Sequence, residues 1–128
     1  MYKNLTIASL LGIVAVVLGA FGAHALKSKL TPEAMQSFET AVRYQFIHVL
    51  LLLFANTFKE FSLKQKNRIS FFLIGGIILF SGSIYVIHLL KVSAKSIWFV
   101  TPLGGVLLII GWSMLFFQFL KKVIKKNS

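Results

Sequence analysis

Residues 69–90 read ISFFLIGGIILFSGSIYVIHLL, twenty-two positions without one Asp, Glu, Lys or Arg. A helix needs about 20 predominantly apolar residues to cross a hydrocarbon core of about 30 Å, so this stretch is long enough to span a bilayer. Basic residues flank it, with Lys64, Lys66 and Arg68 before and Lys91 after. Residues 4–26 and 96–120 are equally free of charge and slightly longer. The fourth uncharged stretch, residues 44–58, is short and reaches spanning length only by taking in Ala41, Val42 and Arg43. An Arg costs about 2.5 to 3.5 kcal/mol at a helix centre on insertion scales, and less near an end, where its side chain snorkels to the headgroups.

These stretches predict an all-α membrane protein. Four transmembrane helices, over about 4–26, 32–58, 69–90 and 97–120, form one domain with a basic tail at 121–128. The connections are short, which forces antiparallel neighbours and an up-down-up-down bundle. Thr31, Pro32 and Glu33 give helix 2 a start signal: an N-cap, a proline at the first helical position, and an acid at the positive dipole end. Met35, Phe38 and Val42 share one side of that entry segment. Ala23, His24 and Ala25 have the small-x-small form of a signal-peptide cleavage site. The long apolar run and single preceding Lys3 favour a retained span instead.

Composition points the same way. Hydrophobic residues make up 57% of the 128 and charged residues 13%, against about 25% charged in an average soluble domain. The 13 Phe are hard to bury in a small soluble core and easily placed against lipid. Without cysteine, thiol catalysis and Cys-based metal sites are excluded. A net charge of +11 invites a nucleic-acid reading. The cations, however, sit in groups between apolar stretches, where they anchor helices and set orientation. The expected partner is therefore the lipid bilayer and not nucleic acid, with a homo-oligomer or a membrane-protein partner left open. Nine of the 14 Lys and Arg fall on the side shared by the N-terminus, the middle loop and the C-terminus. By the positive-inside rule both termini are expected to be cytoplasmic, in a cell inner or plasma membrane.

Glycines repeat at intervals of seven in three helices: Gly12 and Gly19, Gly75 and Gly82, Gly104 and Gly111. Two turns separate each pair, so both members share a face, where small residues let backbones approach closely. In antiparallel helices 3 and 4 this places Gly82 opposite Gly104 or Gly105, and Gly75 opposite Gly111. Tight midplane packing and a glycine-lined pathway are the two readings of the pattern.

Antiparallel topology also gathers polar residues toward one membrane surface: His24, Glu39, Arg43, Tyr44, Gln45, His48, Ser81, Ser83, Tyr85 and Thr101. Glu39 and Arg43 have the spacing of a helical ion pair, and Tyr44 and His48 that of a hydrogen bond. A titratable residue inside a membrane is a functional candidate. The structural alternative is that these groups satisfy one another and fix how helix 2 docks. No His-x-x-x-His pair exists, and no metal or cofactor is assigned.

Four ordered motifs resemble one known family. They are Gly19-Ala20-Phe21-Gly22-Ala23-His24-Ala25-Leu26, then Ala41-Val42-Arg43-Tyr44-Gln45-Phe46 with His48, then Phe80-Ser81-Gly82-Ser83-Ile84-Tyr85, and finally Thr101-Pro102-Leu103-Gly104-Gly105 through Gly111-Trp112. Together they are similar to the domain of unknown function 423 family over nearly the whole chain. The resemblance implies a compact multi-pass membrane protein and supplies no activity. It places His24, Arg43, Tyr44, Gln45, His48, Ser81, Ser83, Thr101 and Pro102 at motif positions, and leaves His88 and the lysine-rich tail outside them.

No nucleophile–base motif, deep carboxylate pair or phosphate-cradling loop occurs. The chain is therefore expected to be a non-enzymatic structural or accessory membrane module. The alternative is a small permeation protein for protons or a small solute, using the polar cluster around Glu39, Arg43 and His48.

Overall fold

The computed structural model describes residues 2–127, apart from the side chains of Ala23 and Asn127. Ser128, the last residue of the expected basic tail, lies outside the described residues. Four long helices account for nearly all of the chain, and no strand occurs among the described residues. We label them α1 (Tyr2–Leu26), α2 (Pro32–Thr57), α3 (Leu63–Leu89) and α4 (Val100–Asn127). All four are long and apolar enough to cross a membrane.

Their boundaries follow from local chemistry. Thr31 Oγ1 accepts the Ala34 N–H at 3.1 Å to open α2, with Pro32 in the first turn. Before α3, Ser62 and Gln65 form a capping box, with bonds of 3.2 Å and 2.8 Å. The helix therefore starts at Leu63, six residues before the uncharged stretch, because a well-capped helix need not end where the hydrocarbon does. At its far end Lys91 takes a left-handed conformation, φ 56°, which turns the chain out of the helix. The fourth helix starts at Val100, later than residue 97, since residues 94–99 are used in turns. It then continues as helix through Lys121, Lys122, Lys125 and Lys126. Lysine is a good helix former, and cations at a C-terminus complement the dipole.

The first span is not uniform. Residues Leu18–Gly22 widen into a π-helical segment between α-helical stretches Tyr2–Val17 and Ala23–Leu26. Gly19 and Gly22 lie in it, and α2 presses against both. A methyl group added at Gly19 would sit 3.2 Å from Val42, and one at Gly22 would sit 3.0 Å from the Phe38 ring.

Sequence neighbours are spatial neighbours: α1 lies on α2, α2 on α3, and α3 on α4, with only a light touch between α1 and α3. Fully buried Leu52, Ile69 and Leu73 form the centre, joined by Ala8, Ile77 and Leu108. Aromatic side chains bridge α2 and α4, with the Phe54 and Phe119 rings 6.5 Å apart.

Glycines set the α3–α4 contact, in a register about two residues away from the expected one. Instead of glycine facing glycine, each hole takes a leucine or a stretch of backbone. Leu108 fills the space beside Gly76, Leu73 fills that beside Gly111, and the Leu79–Phe80 backbone runs against Gly104. Steps of three and four residues up α3 match equal steps down α4, so the three contacts share one register. Gly82 departs from the expectation: a methyl there would meet nothing within 4 Å. Gly76 takes its place in the interface. A glycine paired with a leucine leaves less void than two glycines face to face, and dispersion drives such packing in lipid.

Candidate functional site

The interior polar residues form a chain of bonds between helices. On α2, Gln45 donates to the Leu11 carbonyl of α1 at 2.7 Å and accepts from the Tyr85 hydroxyl of α3 at 2.6 Å. It is only 2% exposed and ties three helices together. One turn away, the Ser81 hydroxyl of α3 donates to the Ala41 carbonyl of α2 at 2.7 Å. Ser83 of α3 bonds Thr101 of α4 through their hydroxyls. The Tyr85 ring packs against Phe38, centroids 5.6 Å apart.

His48, three residues beyond Gln45 on α2, makes a separate set of bonds. Its Nδ1 is 2.6 Å from the Tyr44 carbonyl, and its Nε2 is 3.0 Å from Trp112 Nε1 on α4. A carbonyl can only accept and an indole N–H can only donate, so the ring is a neutral Nδ1–H tautomer with both nitrogens engaged. At 5% exposure it is closed to the surroundings.

Other expected members stand apart. The Tyr44 side chain does not bond His48; the bond comes from its backbone, and its ring stacks on Phe80 at 4.9 Å. Stacking between α2 and α3 takes the ring away from the histidine. Glu39 and Arg43 are exposed on α2 and form no ion pair with each other. They border a surface groove with Gly19 and Phe46. His24 is exposed near the end of α1, and half-buried His88 belongs to no hydrogen bond of the cluster. Among the described residues, no three His, Asp or Glu side chains gather where they could hold a metal ion.

Sequence reasoning missed two features. Trp112 is one, because an aromatic near the middle of a span reads as lipid-facing until its N–H finds a partner. The other is a second polar knot at the opposite end of the bundle. Asn4 Nδ2 of α1 donates to Asn56 Oδ1 of α2 at 3.0 Å and to Asn67 Oδ1 of α3 at 2.8 Å. Asn56, 0% exposed, in turn donates to Ser70 Oγ of α3 at 2.7 Å and to the Leu52 carbonyl at 2.9 Å. Gln65 donates to Gln118 at 2.8 Å, joining α3 to α4 at the same end. A search for charges passes over uncharged amides, although Asn within an apolar stretch is a signal of its own. Polar groups thus occur toward both surfaces. Among the described residues, no buried side-chain nitrogen or oxygen lacks a partner.

Residues 18–105 match the profile of a family described as a protein of unknown function (DUF423). The match runs from the π segment of α1 to the glycines that start the α3–α4 contact. The chain is 40% identical over 103 residues to a UPF0382 membrane protein of Staphylococcus aureus, covering 80% of this chain and 83% of that one. It is 38% identical over 106 residues to the UPF0382 membrane protein YwdK of Bacillus subtilis, covering 80% and 84%. With the UPF0382 inner membrane protein YgdD of Escherichia coli it shares 36% identity over 119 residues, covering 87% and 84%. No solved structure matches it.

Proposed function

The chain belongs to the DUF423 family of membrane proteins, and from that premise we propose that this integral membrane protein is a non-enzymatic structural or accessory module. The observation that carries the reading is His48. Its two nitrogens are engaged by the Tyr44 carbonyl and the Trp112 indole, so it has no lone pair left for a proton or metal and no N–H left to give. Gln45 is engaged at both ends in the same way. The polar residues of the interior join helices to one another, which is what a rigid docking platform needs. Permeation by way of His48 calls instead for a hydrated route to a free ring nitrogen.

We place the module in the cell inner or plasma membrane with both termini in the cytoplasm, from the excess of Lys and Arg on the side of the termini and middle loop. The test is proton flux into liposomes holding purified wild-type protein or His48→Ala. Both should match protein-free vesicles. Flux above that background that disappears in His48→Ala would replace this reading with permeation.

A further inference from the structure

Glu39 and Arg43 occupy an unusual place. Gly12 meets Val49 and Gly19 meets Val42, so residue 15, the centre of the uncharged stretch of α1, is level with about residue 46 of α2. At about 1.5 Å per residue, the Arg43 Cα lies roughly 5 Å and the Glu39 Cα roughly 10 Å from that level. Both backbones are thus within the roughly 15 Å half-thickness of the hydrocarbon. Both side chains are exposed on the outside of the bundle and have no ion-pair or hydrogen-bond partner. Charged groups at such depth ordinarily face a bundle interior or a water-filled cavity, or pair.

Below them runs a groove along the α1–α2 seam. Its upper part, about 400 Å³, lies between Gly19, Arg43, Phe46 and Leu50. Its lower part, about 490 Å³, shares Phe46 and Leu50 and continues to Val16 and Gly12. Gly12 and Gly19 line it on the α1 side, where α2 comes close through Val49 and Val42. Apart from Glu39 and Arg43 its walls are almost wholly apolar.

We propose that this seam binds one bilayer phospholipid with a zwitterionic headgroup, its phosphate on Arg43, its primary ammonium on Glu39, and an acyl chain in the groove. The order of charges supports it. With both side chains extended toward the headgroups, the direction in which α2 side chains tilt, the guanidinium remains the deeper group and the carboxylate the shallower, and in a phospholipid the phosphate likewise lies below the ammonium. Arg suits phosphate because its planar fork donates two parallel bonds. The groove runs along the bilayer normal, parallel to acyl chains. The site lies outside the interior network and does not depend on the module reading.

The test uses the full chain, purified in detergent and offered phosphatidylethanolamine, phosphatidylcholine and phosphatidylglycerol, with bound lipid counted by native mass spectrometry. One phosphatidylethanolamine per chain should be retained in preference to the others. Glu39→Gln should cut that preference roughly fivefold, the effect of losing about one ion pair. Arg43→Gln should lower retention of all three lipids, and Ile47→Trp, which narrows the groove without changing charge, should do the same. These positions are exposed, so unchanged melting temperatures check that the variants fold. Equal retention of the three lipids, or retention unaffected by both charge variants, overturns the proposal. Efficient Ile47→Cys disulfide formation between two chains in a bilayer also overturns it, because a second copy then covers the seam.

Discussion

Trp112 donates its indole N–H to Nε2 of His48 at 3.0 Å, joining α4 to α2 across a face where their backbones do not meet. The two rings stand edge to face, with centroids 6.0 Å apart. Helix α4 otherwise rests on α3 and on the contact of Phe119 with Phe54, so this bond helps to fix how it is rotated. Trp112→Phe keeps an aromatic ring but removes the donor, leaving a buried acceptor unmet. We expect a loss of about 1 to 2 kcal/mol, read as a lower melting temperature in detergent. His48→Leu with Trp112→Phe should lose less than the two single changes added together, because each single change already breaks the same bond.

Glycine substitutions should divide sharply by register. A methyl at Gly104 runs into the backbone of Leu79 and Phe80, which cannot rotate away, with Leu79 C only 2.7 Å off. Gly104→Ala should therefore force α3 and α4 apart and lower the melting temperature markedly. At Gly82 the same change meets nothing within 4 Å and raises helix propensity, a gain of up to about 1 kcal/mol. Gly82→Ala should be neutral or stabilising. If the two variants melt alike, the register is wrong.

Asn56 is the hub of the second polar knot, bonding Asn4, Ser70 and the Leu52 carbonyl. Asn56→Ala strands the Ser70 hydroxyl, while Asn4 keeps its bond to Asn67. With interhelical bonds in membranes averaging about 0.6 kcal/mol, and a cavity added, a loss of roughly 2 kcal/mol is expected. Asn67→Ala, at an exposed position, should cost far less. Thermal unfolding of the pair, followed by circular dichroism, checks both.

The spans were legible because the signal is coarse: about 20 consecutive residues must suit hydrocarbon, whatever their neighbours are. The start of α2 was legible because Thr31 and Pro32 act within one turn. Register was not. Sliding α3 against α4 by two residues keeps composition and spacing yet exchanges Gly82 for Gly76 in the contact. The candidate site divided on the same line. Gln45, His48, Ser81, Tyr85 and the pair Ser83 and Thr101 meet partners in the interior, whereas His24, Glu39 and Arg43 face outward. Periodicity gives the face of a residue relative to its own helix, and only the packed bundle decides which faces are covered.

Orientation gives the last prediction. The chain has no cysteine, so single cysteines can report sidedness without background. Ser93→Cys lies in the exposed turn after α3, and Lys59→Cys in the exposed turn before it. Crossing α3 once separates them, so they must label from opposite sides whichever way the protein inserts. With cytoplasmic termini, a membrane-impermeant maleimide added to intact cells stripped of any outer membrane should label Ser93→Cys, and Lys59→Cys only after lysis. The reverse would put the lysine-rich α4 terminus outside, against the attraction between basic segments and the anionic cytoplasmic leaflet. Labelling of both positions in intact cells would argue against α3 as a span, because two ends of one crossing cannot share a side.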